Sequence, residues 1–146
     1  MSQSPTDVIN ELYGAFARGD IPAIVGMVDE EVQWRVPENL PHGGDFHRRD
    51  GVGRFFQGLA DNWEGLELEL DGLVGGGDRV LAVASIQGRL RSTGEQTGYR
   101  SVHAWTVRDG VPVRSDEYVD APVDLPASAG GAVLEFGSVM GLSGEP

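Results

Sequence analysis

The chain has 146 residues, 40% of them apolar, which suits a single domain with its own core. Acids outnumber bases 23 to 11, a formal charge of −12, so nucleic acid and anionic lipid are not expected as partners. There is no cysteine, which removes disulfides, thiolate nucleophiles and thiolate metal sites together.

Ser4-Pro5 starts a helix, with Ser4 as N-cap, Pro5 at the first helical position and Asp7 in the first turn. Val8, Ile9, Leu12, Tyr13 and Phe16 give it one apolar face, and Gly19 stops it. Nothing in MSQSPTDVINEL has the basic and apolar regions of a signal peptide, and no run of about 18 apolar residues follows, so a cytoplasmic protein is expected. Asp20 caps a second, short helix with Pro22, Ile24, Val25, Met27 and Val28. Glu31 to Val36 alternates as a short strand. PENLPHGGDFHRRD reads as a loop by its Pro, Gly and polar content. Within it His42, Asp45 and His47 are weighed as metal ligands, but no third His-rich segment supports them, and solvated loop side chains are the preferred reading.

Asp50 is the expected cap of a third helix, whose apolar stripe is Val52, Phe55, Phe56, Leu59 and Trp63. After Gly65 the period changes to two, with Leu66, Leu68 and Leu70 alternating with acids. GGGD at 75–78 is a turn, 79–91 a long strand, RSTGEQTG a hairpin loop and 99–108 the next strand. Asp109-Gly110 is a two-residue hairpin signal, and 111–121 is the last strand. Helices followed by a four-strand meander define an α+β fold with a twisted, mostly antiparallel sheet around the helices. Residues 1–122 make the domain. The tail, 123–146, is expected to be loose or docked on the body or on a second subunit.

Alternation in the last two strands separates their acids. Ser101, His103, Trp105 and Val107 share one face, and both faces of that strand are partly apolar. In the last strand Val113, Ser115, Glu117, Val119 and Ala121 share a face that is apolar apart from Glu117. Arg114, Asp116, Tyr118 and Asp120 share the polar one, which should meet solvent or a partner. Glu117 is therefore the acid that turns inward. Burial should raise its pKa above the ordinary value of about 4.3, and a nearby histidine should oppose the shift. The competing structural reading bonds Glu117 to a backbone amide or to an arginine across a subunit interface, for which Arg79, Arg89, Arg91 and Arg100 are available.

With LYGAFARGD, VQWRVPENLPHGGDFHRRDGVGRFF and VHAWTVRDGVPVRSDEYVD in place, residues 6–122 resemble the SnoaL-like branch of the NTF2-like superfamily. The resemblance implies a cone in which three N-terminal helices and a curved sheet enclose an apolar pocket. Such proteins are often homodimers packed through the outer sheet face. The pattern departs from ketosteroid isomerases, whose base, tyrosine and second acid match Val36, Leu12 and His103 here. It also departs from limonene epoxide hydrolases, whose Arg-x-Asp pair falls near Ala84 and Ile86, although their second Asp matches Glu117. Polyketide cyclases of the SnoaL type place a His and an Asp 14 residues apart, as His103 and Glu117 are here, with Glu extending the carboxylate by about 1.5 Å. Arg48 stands where the family usually has Gly.

These matches imply a cofactor-independent enzyme with Glu117 and His103 as its acid–base pair. Trp34, Phe56, Leu59, Trp63 and Trp105 would form walls for an apolar, aromatic or polyketide-like ligand, and Tyr13 would add a hydroxyl. Only one of Trp34 and Arg35 can face the pocket. Cyclisation, isomerisation, elimination and water activation by Glu117 on an epoxide all stay open. So does a non-catalytic ligand-binding or dimerisation domain.

Overall fold

The computed structural model describes residues 3–119; the tail and Asp120 lie outside them. Ser4 caps helix α1 (Pro5–Ala17), its hydroxyl accepting from the Asp7 N–H at 3.1 Å. Asp20 caps α2 (Ile21–Met27) in the same way through the Ala23 N–H at 3.2 Å. Strand β1 (Gln33–Val36) follows, two residues shorter at its start than the alternation predicts.

The segment expected to be all loop contains a strand, β2 (Gly44–His47), paired antiparallel to β1. Its pattern is faint because it is four residues long and only Phe46 is a large apolar residue. That ring packs on Phe55, 5.6 Å between centroids. Helix α3 (Arg48–Asn62) begins two residues before the expected cap. His47 occupies the N-cap position without a side-chain hydrogen bond, and Asp50 lies in the first turn, paired with Arg54 at 3.4 Å. Trp63 follows the helix and opens the first long strand.

The four long strands are β3 (Trp63–Gly76), β4 (Arg79–Leu90), β5 (Gln96–Arg108) and β6 (Val111–Val119). The six-stranded order is β2-β1-β6-β5-β4-β3, antiparallel except where β1 meets β6. The inner face carries Val80, Ala82, Ile86, Tyr99, Trp105 and Trp34 against α1 and α3, as a curved sheet wrapped on helices requires.

The β5–β6 hairpin turns at Asp109-Gly110, whose φ values of 53° and 76° suit the two-residue turn predicted there. Arg108 pairs with Val111 and Val107 with Pro112, but Thr106 pairs with Arg114. Val113 is thus an extra residue, a β-bulge, and the Pro112 carbonyl accepts from the Asp29 N–H at 2.9 Å. Beyond the bulge His103 lies directly opposite Glu117. Without it the same hairpin would set His103 against Asp116.

Arg48 has φ 67°, the left-handed region, which explains why glycine suits this position. Its N–H donates to the Val32 carbonyl at 2.8 Å and its guanidinium pairs with Glu31, so tertiary contacts hold the turn. Arg48→Gly should stay within about 1 kcal/mol of the parent in urea denaturation, since relief of the backbone offsets the entropy of glycine and the exposed ion pair. Arg48→Val, β-branched in the same conformation, should be less stable than Arg48→Gly by about 1–2 kcal/mol. Equal stability of the two variants would show that the backbone there is unstrained.

Candidate active site

The cavity between the helices and the sheet is lined by Leu12, Tyr13 and Phe16 of α1, Phe55, Phe56 and Leu59 of α3, and inner-face residues of the strands. Its volume is about 60 Å³. The space is therefore narrow and suits a small or flat ligand. Trp34 faces it, in T-shaped contact with Trp105 at 5.2 Å, while Arg35 points outward to Asp45 at 3.2 Å. Trp63, expected in the wall, does not line the cavity. As the first residue of β3 it packs behind His42, 6.3 Å between ring centroids.

His103 and Glu117 project into this cavity from adjacent strands, each 8% exposed. His103 Nε2 lies 3.2 Å from Glu117 Oε2 and 3.1 Å from Ser101 Oγ. Its Nδ1 is hydrogen-bonded to the Tyr13 hydroxyl, which accepts from Trp105 Nε1–H at 3.0 Å. An indole N–H only donates, so the one phenolic proton is free to point at Nδ1. The neutral ring then carries its proton on Nε2 and donates to Glu117. If the ring gains a proton, Nδ1–H must donate to Tyr13, and the tyrosine proton must turn away from the histidine. The direction of that hydroxyl and the charge of the pair are thereby linked.

Burial pushes the Glu117 carboxyl up, as expected from the sequence. The charge and hydrogen bond of His103, with smaller contributions from His42 and Ser101, outweigh it, so the carboxyl lies below its ordinary range rather than above. Burial also raises Tyr13 well above the ordinary phenol range. The Trp105 hydrogen bond opposes this, and the Glu117 charge adds to it, so the hydroxyl keeps its proton. Within one copy of the chain the four arginines considered as partners bond elsewhere. Arg79, Arg89 and Arg91 bond to the carbonyls of Trp105, Gly94 and Ala60, and Arg100 pairs with Asp71 at 3.3 Å. Asp116 does face the other way, but it is buried rather than exposed, because Arg114 covers it with bonds of 2.7 and 3.1 Å. Tyr118 is 62% exposed on the same face.

His42, read from the sequence as a solvated loop residue, is a pocket residue, 4% exposed. Trp63 Nε1 donates to its Nδ1 at 3.1 Å, and its Nε2 lies 3.4 Å from the Tyr99 hydroxyl. Gly43 allows the loop to curl this tightly, since a Cβ there would sit 1.9 Å from the Pro37 carbonyl oxygen. His47 points elsewhere, to the Val32 carbonyl at 3.2 Å and Glu31 at 3.6 Å. No three His, Cys, Asp or Glu side chains come together as a metal site among the described residues. Tyr99 was also missed as a site residue, although its parity with His103 places it on the inner face.

A curved sheet wrapped on helices around a cavity is the fold of the NTF2-like class. Residues 9–114 match the model of the SnoaL-like domain, and the chain belongs to that family. It is similar to an NTF2-like protein of Burkholderia thailandensis E264, at 28% identity and TM-score 0.77, over 81% of this chain and 92% of that one. It is also similar to TerC, crystallised with polyporic acid, at 25% identity and TM-score 0.72, over 90% and 99% of the two chains. A protein of Xanthomonas campestris pv. campestris proposed to be a polyketide cyclase shares the fold, at 24% identity and TM-score 0.64, over 78% and 88%. No curated protein sequence matches. No helix among the described residues is long and apolar enough to cross a membrane.

The histidine in the wall makes stability depend on pH. Burial pushes the His42 imidazole from its ordinary 6.5 down to about 4, against a smaller upward pull from the Glu117 charge. Between these values the unfolded chain binds a proton that the folded protein refuses. Stability should be full above pH 6.5 and should fall by on the order of 3 kcal/mol as pH drops to about 4. Glu117, with its depressed carboxyl, adds a loss only below the ordinary carboxylate range. His42→Gln, which can accept from Trp63 and donate to Tyr99, should flatten the slope between pH 6.5 and 4.5 in urea titrations. An unchanged slope would assign the dependence to another group.

Proposed function

We propose that the protein is an acid–base enzyme acting on an apolar carbonyl compound, with Glu117 as general base. The observation that carries this reading is the buried cross-strand pair of His103 and Glu117, 3.2 Å apart on the wall of an aromatic cavity. A carboxylate kept ionised in a nearly dry site is a competent proton acceptor. Glu117 takes the proton from the carbon next to the carbonyl, and the electron pair of that C–H bond passes to the oxygen as an enolate. His103 holds the carboxylate and shares the proton, and Tyr13 fixes the orientation of the ring. The enolate then closes on an internal electrophile as in polyketide cyclisation, is reprotonated elsewhere as in isomerisation, or expels a leaving group. Trp34, Phe56, Leu59 and Trp105 enclose the apolar body of the ligand. The relative crystallised with polyporic acid supports small-molecule binding by this fold.

The exposed outer face of the sheet, with Leu81, Val74 and Tyr118, is proposed to pair two copies of the chain. Sedimentation should give a dimer for the parent and a monomer for Leu81→Asp combined with Tyr118→Asp. A monomeric parent would remove this part of the proposal.

A simple carbonyl probe tests the base. The parent should accelerate deuterium exchange at the carbon next to the carbonyl of 2-tetralone in D2O. Glu117→Gln should slow it by roughly 10²–10⁴ while still binding the ketone. A folded Glu117→Gln variant that binds and exchanges like the parent would end the catalytic reading.

A further inference from the structure

His42 and Tyr99 line the cavity yet have no part in the chemistry assigned to Glu117 and His103. Their hydrogen bonds have a direction that can be worked out. Trp63 Nε1–H can only donate, so His42 Nδ1, 3.1 Å away, is an acceptor without a proton. The neutral ring therefore carries its proton on Nε2. That nitrogen faces the Tyr99 oxygen at 3.4 Å and donates to it. The Tyr99 hydroxyl proton then has no acceptor among the described residues, on a side chain only 3% exposed in the cavity wall. A buried donor without a partner costs roughly 1–3 kcal/mol, and a ligand oxygen would remove that cost.

We propose that Tyr99 donates this hydrogen bond to an acceptor oxygen of the ligand, a ketone carbonyl or the enolate formed from it, with His42 as the positioning residue that turns the hydroxyl inward. Tyr99 stands four residues before His103 on the same face of β5, about 13 Å along the strand, and both side chains converge on one cavity. The charge of Glu117 is felt at both Tyr99 and His42, which fits a shared dry site. The ligand class is thereby narrowed to compact apolar molecules with an oxygen acceptor near an acidic C–H. Hydrocarbons of the same shape would leave the tyrosine proton unmatched. The inference rests on the cavity being a ligand site and is separable from the role of Glu117 as base.

The test compares 2-tetralone with tetralin, which has the same rings and no oxygen. The parent should bind the ketone about tenfold more tightly than the hydrocarbon. Infrared difference spectra should place the bound C=O stretch below its value in an apolar solvent. Tyr99→Phe should bring the affinity ratio close to one, leave tetralin binding unchanged and return the stretch to its apolar value. His42→Gln should keep the shift and His42→Leu should weaken it. Glu117→Gln should lose deuterium exchange but keep both the ratio and the shift. If Tyr99→Phe does not fold, 3-fluorotyrosine at position 99, a stronger donor, should lower the stretch further. A ratio and stretch unchanged by either substitution would overturn the proposal, even with exchange still dependent on Glu117. Failure of both probes to bind the parent would overturn it together with the ligand-site reading.

Discussion

Two indole N–H groups set the direction of the hydrogen bonds in the pocket. Each can donate and neither can accept, so Trp105 forces the oxygen of Tyr13 to act as acceptor and Trp63 does the same to Nδ1 of His42. From there the remaining protons follow: in the neutral state Tyr13 donates to His103 and His103 to Glu117, while His42 donates to Tyr99. Each network starts at a tryptophan, Trp105 in the cavity wall and Trp63 behind it. One ends on a carboxylate, a hydrogen-bond acceptor, and the other on a hydroxyl with a hydrogen left to donate.

Keeping such groups in a mostly apolar cavity has a cost, and the packing around them explains how they persist. A buried carboxylate without partners would take up a proton rather than stay charged. Here the histidine directly across the strand pair, with Ser101 beside it, reverses that tendency. The rings behind them are held rigidly. Trp34 meets Phe55, Phe56 and Trp105 at centroid distances of 5.3, 6.0 and 5.2 Å. Tight aromatic contacts of this kind limit rotamer freedom, so the polar atoms stay within hydrogen-bonding distance without a ligand.

Much of this arrangement was legible in the sequence because it obeys short-range rules. The caps at Ser4 and Asp20, the alternation of the long strands and the Asp109-Gly110 turn are all local signals, and the structure follows them. The inward turn of Glu117 needed only the parity of one strand. The errors arose where long-range contacts decide. A four-residue edge strand with a single large apolar side chain has too little pattern to separate it from a loop. His42 looked solvated because it is surrounded by Pro and Gly, yet Trp63, 21 residues later, and Tyr99, 57 residues later, bury it. Trp63 fits the helical spacing of α3 but falls one residue past its end, so it supports the wall from behind. The sign of the Glu117 shift likewise depended on a distance that no spacing rule supplies.

The bulge at Val113 also affects how relatives should be aligned. Asp116 and Glu117 are neighbours with opposite fates: one is clasped by an arginine on the outer face, the other set against the histidine inside. Alternation puts them on opposite faces, and a single unpaired residue earlier in the returning strand decides which of the two meets the histidine. The same sequence paired without the bulge would bring the preceding acid to the inner face with no substitution at all. Equivalence between members of this family is therefore carried by hairpin register as much as by residue identity, and a column-by-column comparison that ignores the bulge would name the wrong carboxylate.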